Sequence, residues 1–179
     1  MRIGKLRSFL VAGALLAVPA FVYASSGPAP VQKSMDEKVR HELNMLPYFG
    51  VFDNLSFRVD EDKVTLFGQV ARPALKREAK NAVKHIEGVR HVEDQIEVLP
   101  LSSFDNDIRV RAYRAIYGFG ALNRYALGTH PSIHIVVKNG NVTLAGVVAN
   151  SMDRDLAYIR AQGVPGAFSV TNELRVENN

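Results

Sequence analysis

Apolar and polar residues alternate along several short segments of this chain and recur at helical spacing along others. Phe57 and Val59 alternate with polar neighbours, which is typical of a strand with one buried face. Val39 and Leu43 are four positions apart, as on the buried stripe of an amphipathic helix. The order that these patterns predict for residues 34–99 is helix, strand, strand, helix and strand.

The same pattern occurs a second time farther along the chain. The segment VTLFGQV at residues 64–70 matches VTLAGVV at residues 142–148, at an offset of 78 positions. At the same offset Gly88 falls on Gly166. Because the offset stays constant over more than 40 positions, it indicates an internal repeat. The second copy of the five elements is predicted at residues 105–177.

The connections between the strands predict the topology of each repeat. Asn139-Gly140 between two alternating segments is a strong signal for a hairpin of antiparallel strands. The following helix leads to a third strand, the usual route of a parallel crossover. The sequence therefore predicts an α+β protein of two tandem αββαβ repeats, each a small mixed three-stranded sheet with two helices on one face. Gly68 and Gly146 lie within predicted strands, and we expect a helix to cross closely over each of them.

Polar residues mark where the helices of the second repeat begin. We expect Asp105 or Asn106 to cap a helix that starts near Asp107. Asn150 or Ser151 is expected to cap the later helix of this repeat by accepting a hydrogen bond from a free backbone N–H.

The amino terminus carries the pattern of an export signal. Three basic residues within the first seven positions precede an apolar run over residues 9–22, and small residues precede a cleavage position after Ala24. The alternative is a membrane-spanning helix, but the run is short and Pro19 interrupts it. We therefore predict a signal peptide at residues 1–24, no transmembrane segment after its cleavage, a flexible leader at residues 25–33, and a periplasmic or secreted mature protein.

The charge balance changes once the signal peptide is removed. The whole chain has 22 basic and 18 acidic residues and a formal net charge of +4. Cleavage removes three basic residues, leaving 19 basic against 18 acidic. A chain so close to neutral, exported from the cell, is not expected to bind nucleic acid.

The repeated motif resembles a known family. Val-Thr-Leu-x-Gly-x-Val, a helix, and then Gly-Val-x-x-Val-x-Asp/Asn-x-Ile/Leu-x-Val are similar to the BON domain, named for bacterial osmotically inducible and nodulation proteins. The resemblance covers residues 34–99 and 105–177, and two copies behind a signal peptide look like the tandem-BON periplasmic proteins.

The resemblance implies a function as well as a fold. BON domains are considered binding modules for phospholipid membranes or other envelope partners, so it implies an exported module that attaches to anionic phospholipid in envelope maintenance or stress response. The alternative is an adaptor that binds another envelope protein without contacting lipid. The chain lacks cysteine and so lacks the lipid-bearing residue of some tandem members. The soluble osmotically inducible members are the nearer comparison.

No catalytic motif or metal-binding pattern is present in the sequence, so we predict a protein that is not an enzyme and has no cofactor. His130 and His134 would lie about 13 Å apart on a strand, too far for one metal ion, and are interpreted as surface or edge residues. The acidic residues 60–62 are interpreted as a solvated turn. The segment at residues 105–107 lacks the glycine and distal glutamate of a calcium loop.

The two repeats differ most around the first helix of the second one. Residues 34–100 hold 10 basic and 12 acidic residues, whereas residues 101–179 hold 8 and 6. Seven extra residues follow this helix in the second repeat, within residues 118–130. Arginines and aromatic residues together are typical of an interface with anionic lipid. The residues predicted to form this surface are Arg109, Arg111, Tyr113, Arg114, Tyr117, Phe119, Arg124 and Tyr125.

A second interpretation of the same segment is purely structural. In that case the arginines are only solvated. The apolar residues would then pack into the core: Ile108, Ala112, Ile116, Phe119 and Leu127.

Overall fold

A computed structural model describes residues 34–128 and 130–177; the predicted signal peptide and leader lie outside this part of the chain. The first repeat consists of α1 (Met35–Asn44), β1 (Asn54–Asp60), β2 (Lys63–Val70), α2 (Pro73–Lys84) and β3 (His91–Val98). The second repeat consists of α3 (Ser103–Tyr117), a 3₁₀ turn (Asn123–Ala126), β4 (Ile133–Lys138), β5 (Asn141–Val148), α4 (Ser151–Gln162) and β6 (Ser169–Val176). The predicted order of helices and strands is confirmed.

Each repeat has the predicted mixed sheet. The strand orders are β1-β2-β3 and β4-β5-β6, with the hairpin pair antiparallel and the crossover pair parallel. The registers also correspond. Val64 pairs with Val92 in the first repeat, and Val142 pairs with Val170 in the second. The sequence motif is therefore repeated as one backbone arrangement.

Each repeat has its own hydrophobic core. In each one, alternate positions of the central strand point towards the helices, as Val64 and Leu66 do in β2. The first core contains Val39, Leu43, Leu46, Val64, Leu66, Val70, Leu75, Ala79, Val83, Ile86 and Ile96. The second core is larger and includes Ile108, Ala112, Ile116, Leu122, Ile133, Ile135, Val137, Val142, Leu144, Val148, Ala157 and Ala161.

The start of α3 differs from the prediction. Ser102 is the N-cap residue, and its hydroxyl accepts a hydrogen bond from the backbone N–H of Asp105 at 3.1 Å. The helix therefore begins at Ser103, four residues earlier than expected. The Asp105 carboxylate is buried and accepts hydrogen bonds from the backbone N–H groups of Asn139 and Gly140 instead, which ties α3 to the β4–β5 hairpin.

Side-chain caps begin two of the other helices, α4 and α1. Asn150 caps α4 by accepting from the backbone N–H of Asp153 at 2.8 Å, as predicted. Ser34 and Glu37 form a reciprocal capping box at the start of α1. At its carboxyl end α2 stops at Lys84, so Gly88, with φ of 98°, belongs to the turn that follows it.

Gly68 and Gly146 allow a close approach between neighbouring backbone segments. Both have positive φ, 118° and 119°. A Cβ atom at these positions would lie 2.0 Å from the carbonyl oxygen of Asn54 or Ser132, at the entry to the hairpin partner strand. The expectation that a helix crosses over these glycines is therefore wrong. The neighbour is backbone at the start of β1 or β4, which the side-chain pattern does not reveal.

The loop between α1 and β1 joins the first repeat to the second. The carbonyl oxygen of Val51 accepts a hydrogen bond from the backbone N–H of Ile135 at 2.7 Å, on the outer edge of β4. Val51 and Phe52 pack against the core of the second repeat. Lys138 also forms an ion pair with Glu97 of β3 at 2.5 Å. The edge strand β4 is thus covered in part by the first repeat.

Two histidines surround an aromatic ring of this loop. The Phe49 ring centroid lies 5.4 Å from that of His130 and 5.4 Å from that of His134. Burial lowers the pKa of His134, although the Gly50 carbonyl and the nearby Asp53 favour its charged form. As predicted, His134 lies on an edge strand. Both histidines are only partly exposed, because their rings contact Phe49 of the first repeat.

Asp53 fixes the end of the same loop. Its buried carboxylate accepts hydrogen bonds from the backbone N–H groups of Gly50 at 3.1 Å and Ala71 at 2.8 Å. Burial raises the pKa of Asp53 despite these hydrogen bonds. The carboxylate therefore holds the α1–β1 loop against the end of β2 and in the position that contacts the second repeat.

We predict that Gly146→Ala lowers the free energy of unfolding by at least about 2 kcal/mol, because the new methyl group clashes with the Ser132 carbonyl at a strained φ. Urea denaturation measures the change. Gly120→Ala is the control, since a Cβ there has no neighbour within 4 Å, and its effect should stay within about 1 kcal/mol. Equal stability of the two variants would contradict the assignment.

Candidate functional site

The segment between α3 and β4 is the feature that most distinguishes the second repeat. It contains the seven extra residues and the 3₁₀ turn at Asn123–Ala126. Leu122 and Tyr125 are buried and attach this segment to the second core. Through these two side chains the segment is packed against the second core.

Asp153 is the centre of the polar network that holds this segment. Its carboxylate accepts hydrogen bonds from the Tyr125 hydroxyl at 2.6 Å and the Asn150 amide at 3.0 Å, and it pairs with Arg124. Burial opposes ionisation, but the hydrogen bonds from Tyr125 and Arg124 outweigh it and hold the pKa of Asp153 below its ordinary value. The Tyr125 hydroxyl also accepts from the backbone N–H of Ala149 at 2.9 Å. The network joins the extra segment to the start of α4.

Three of the residues predicted for the binding surface are buried. The Arg109 guanidinium donates to the carbonyl of Val137 at 2.8 Å, and the Tyr117 hydroxyl donates to the carbonyl of Ile133. Burial lowers the pKa of Arg109 and raises that of Tyr117. Tyr125 belongs to the network around Asp153. Because these side chains point into the second repeat, they stabilise the fold and do not belong to an external surface.

The remaining predicted residues are accessible to different degrees. Arg114, Phe119 and Arg124 are exposed, and Arg111 is half-buried. Tyr113 is partly exposed, but its ring contacts Phe52 of the first repeat at a centroid distance of 6.3 Å. The exposed basic residues therefore lie on the outer side of α3 and on the following segment, whereas Tyr113 lies towards the other repeat.

The structural interpretation of this segment holds for only part of it. Ile108, Ala112 and Ile116 are fully buried, as that interpretation predicts. Phe119 is exposed, and 71% of the Leu127 surface is exposed. Two apolar side chains of the extra segment are thus left outside the core.

The structure adds α4 to the surface, which the sequence interpretation missed. The Arg160 guanidinium lies over the Phe119 ring, 5.1 Å from its centroid, and its Nε donates to the carbonyl of Ala115 at 3.0 Å. Arg160 therefore connects α4 with the end of α3. The outer sides of α3 and α4, with Phe119 between them, are called the helical face below. The sequence did contain a signal for the contribution of α4, because α4 differs from α2 at matching positions of the repeat.

Exposed aromatic residues lie beside the other end of the helical face. Phe104 at the start of α3 and Phe168 before β6 are exposed, and their ring centroids are 5.7 Å apart. Gly166 lies near both Phe104 and Arg111, since a Cβ there would be 3.3 Å from the Arg111 guanidinium. Apolar and basic groups are therefore neighbours at both ends of α3.

The groups on this face suit non-covalent binding to anionic and apolar partners. Within residues 34–128 and 130–177, no group of three or more histidine and acidic residues could hold a metal ion. The helices described in the same ranges include none that is both long and apolar enough to cross a membrane.

Comparison with known proteins identifies related sequences. The BON domain family model matches residues 33–100 and 120–178. Osmotically-inducible protein Y of Escherichia coli (strain K12) is 30% identical over 132 residues, which cover 69% of this chain and 62% of that protein. The chain thus spans less than two thirds of the length of this relative.

Two solved structures align with much lower similarity. One is CdsD, a structural protein of the type III secretion system of Chlamydia trachomatis, with 12% identity and a TM-score of 0.32 over 80% of this chain and 92% of that one. The other is the C-terminal domain of CdsD, with 13% identity and a TM-score of 0.29 over 82% and 99%. At these TM-scores the alignments carry no argument about function.

We predict that Asp153→Asn destabilises the protein by about 1–3 kcal/mol, because the amide removes the charge that Arg124 pairs with and one acceptor from a buried network. Backbone amides of residues 118–128 should exchange with deuterium faster. Asp155→Asn is the control, since Asp155 is exposed and its one ion pair among the described residues is with its neighbour Arg154, so the change should cost about 0.5 kcal/mol or less. Unchanged exchange in Asp153→Asn would show that the network does not hold the segment.

Proposed function

This chain belongs to the BON-domain family, and on that premise we propose that its second repeat attaches the protein to anionic phospholipid surfaces of the bacterial cell envelope. The family and the similarity to osmotically-inducible protein Y support an envelope protein related to osmotic stress. They also support a periplasmic location. We propose that a signal peptide cleaved near Ala24 is the route of export.

The observation that carries the proposal is the combination of exposed basic and apolar groups on the helical face. The exposed Arg114 and the half-buried Arg111 lie on the outer side of α3, and the exposed Arg160 covers Phe119 at its end. The exposed acidic residue on α3 is Asp107, and Asp155 of α4 is paired with Arg154. Positive charge therefore exceeds negative charge around exposed apolar groups, as at interfaces with anionic lipid.

The first repeat provides an internal comparison. Its first helix exposes acidic and basic side chains together, with Asp36 and Glu37 in the first turn and Arg40 after them. The second helix exposes Arg77 and Lys80, but no large apolar residue is exposed on it. Because the two repeats share one backbone arrangement, the fold does not require the helical face of the second repeat to be apolar and basic.

A basic side chain near an anionic membrane contributes about 1 kcal/mol to binding. Removing two such charges should therefore weaken binding by about 2 kcal/mol, or about 30-fold. The contribution is electrostatic and so decreases as salt is added. Arg111 and Arg114 are suitable for removal, since neither forms an ion pair within 4.0 Å in the described ranges.

The alternative function is that of an adaptor for another envelope protein, without direct lipid binding. The observation that favours it is the position of β6 at the edge of its sheet, with β5 as its one hydrogen-bonding neighbour in the described structure. A free strand edge can pair with a strand of a partner. Binding through such an edge depends little on the arginines of α3 or on salt.

We predict that the protein co-sediments with vesicles of phosphatidylcholine and phosphatidylglycerol but not with vesicles of phosphatidylcholine alone. Arg111→Gln/Arg114→Gln should bind the anionic vesicles about 30-fold more weakly, and added salt should weaken wild-type binding.

The matched control is Arg77→Gln/Lys80→Gln, which removes two exposed positive charges from the first repeat and should keep most of the affinity. Absence of wild-type binding to both vesicle types would reject the lipid function and favour the adaptor. An equal loss in the two double variants would show that net charge, and not the helical face, determines binding.

A further inference from the structure

An apolar stripe lies on the outer side of α4. Met152, Leu156 and Ile159 follow one another at i, i+4 and i+7, which places them on one face of the helix. Met152 is 77% exposed and Ile159 is 61% exposed, with Leu156 half-buried between them. The three side chains line a shallow depression together with Ser151 and Asp155. The opposite side of α4, with Ala157 and Ala161, packs into the second core.

The first repeat shows that the fold does not need this stripe. At the offset of 78 positions, Met152, Leu156 and Ile159 correspond to Ala74, Glu78 and Asn81 of α2. Two of the buried positions remain apolar, since Ala157 and Ala161 correspond to Ala79 and Val83, whereas the buried Asp153 corresponds to Leu75. The outer side of α4 is apolar, in contrast to that of α2. Met152 and Ile159 are therefore side chains that packing within the repeat does not explain, whereas the half-buried Leu156 also packs against the second core.

The surroundings of the stripe identify its partner by charge. Arg160 follows Ile159 directly and lies over Phe119, which is also exposed. Asp155 is the acidic residue beside the stripe, and its charge is paired with Arg154 at 2.9 Å. The apolar side chains are thus next to arginine on the same face that carries Arg111 and Arg114. This arrangement complements an anionic surface with an apolar layer beneath it.

We infer that the α4 stripe inserts into the outer part of the hydrocarbon layer of an anionic phospholipid bilayer. The arginines first bring the protein to the bilayer surface. The inference rests on the proposed function and assigns the two contributions to different residues. The arginines supply the salt-dependent attraction, and Met152, Leu156 and Ile159 supply the part of the affinity that salt does not screen. The stripe lies on the outside of a helix and not in a cleft, a shape that a deformable lipid surface accommodates.

Tryptophan reporters test this inference directly, because the chain contains no tryptophan of its own. Ile159→Trp places a reporter on the stripe, and Asn81→Trp places one at the matching position of the first repeat. With vesicles of phosphatidylcholine and phosphatidylglycerol, fluorescence at position 159 should shift to shorter wavelength and be quenched by lipids brominated along the acyl chain. Fluorescence at position 81 should stay that of a solvated residue.

A second variant measures how much the stripe contributes to binding. Met152→Ala/Ile159→Asn gives α4 the residues of α2 at its two exposed positions and leaves the half-buried Leu156 in place. We expect at least about tenfold weaker binding of the protein carrying both repeats, with the remaining binding abolished by salt. Met45→Ala/Leu101→Asn is the control, since it removes two exposed apolar side chains elsewhere and should bind like wild type.

The outcomes separate this inference from the function on which it rests. If wild-type protein does not bind anionic vesicles, the proposed function fails and the inference falls with it. If wild type binds while the reporter at position 159 stays solvated and Met152→Ala/Ile159→Asn binds normally, lipid binding stands and the stripe is not inserted. Capture of a protein by the stripe, with no reporter shift on vesicles, would also overturn the inference. Unfolding in urea confirms that each variant is folded.

Discussion

Each three-stranded sheet buries one face beneath two helices, and this packing determines which positions of the repeat can vary. It requires apolar residues at alternate strand positions, such as Val64 and Leu66 or Val142 and Leu144, and along one stripe of each helix. It also requires the close backbone approach that the two mid-strand glycines permit. These demands concern the inner side of every element. The outer sides of the helices were consequently free to differ between the repeats, as Met152 and Ile159 of α4 do from Ala74 and Asn81 of α2.

The second repeat differs from the first in two ways. A longer connection after α3 is attached by Asp153, which occupies the position of the buried Leu75 in the first repeat and replaces an apolar contact with a polar network. The outer side of α4 has become apolar. Packing of the α1–β1 loop against β4 leaves the outer side of α4 uncovered, although Phe49 of this loop also contacts His130 in the longer connection. One repeat thus supports the other without covering the outer side of α4.

The sequence was sufficient for the fold because the repeat could be read from residues close together: alternation gave the strands, and Asn139-Gly140 gave a hairpin. The candidate site was predicted less well, because the angular position of a residue around α3 determines whether its side chain is buried or exposed. Arg109 lies next to Ile108 on the buried side, whereas Arg114 lies outside. Contacts between distant segments, such as Phe49 with His134, leave no local pattern. The α4 stripe was visible in principle, but only by comparing the outer positions of the two repeats.

In the proposed function, one face of one repeat contacts the membrane. Deuterium exchange of the whole protein, with and without anionic vesicles, can distinguish this from binding through both repeats, because it follows the backbone amides of all described residues except prolines in one experiment. Vesicles should slow exchange in α3, in residues 118–128 and in α4, and leave α1 and α2 unchanged. Slower exchange in α1 and α2, or equal protection of both repeats, would contradict it.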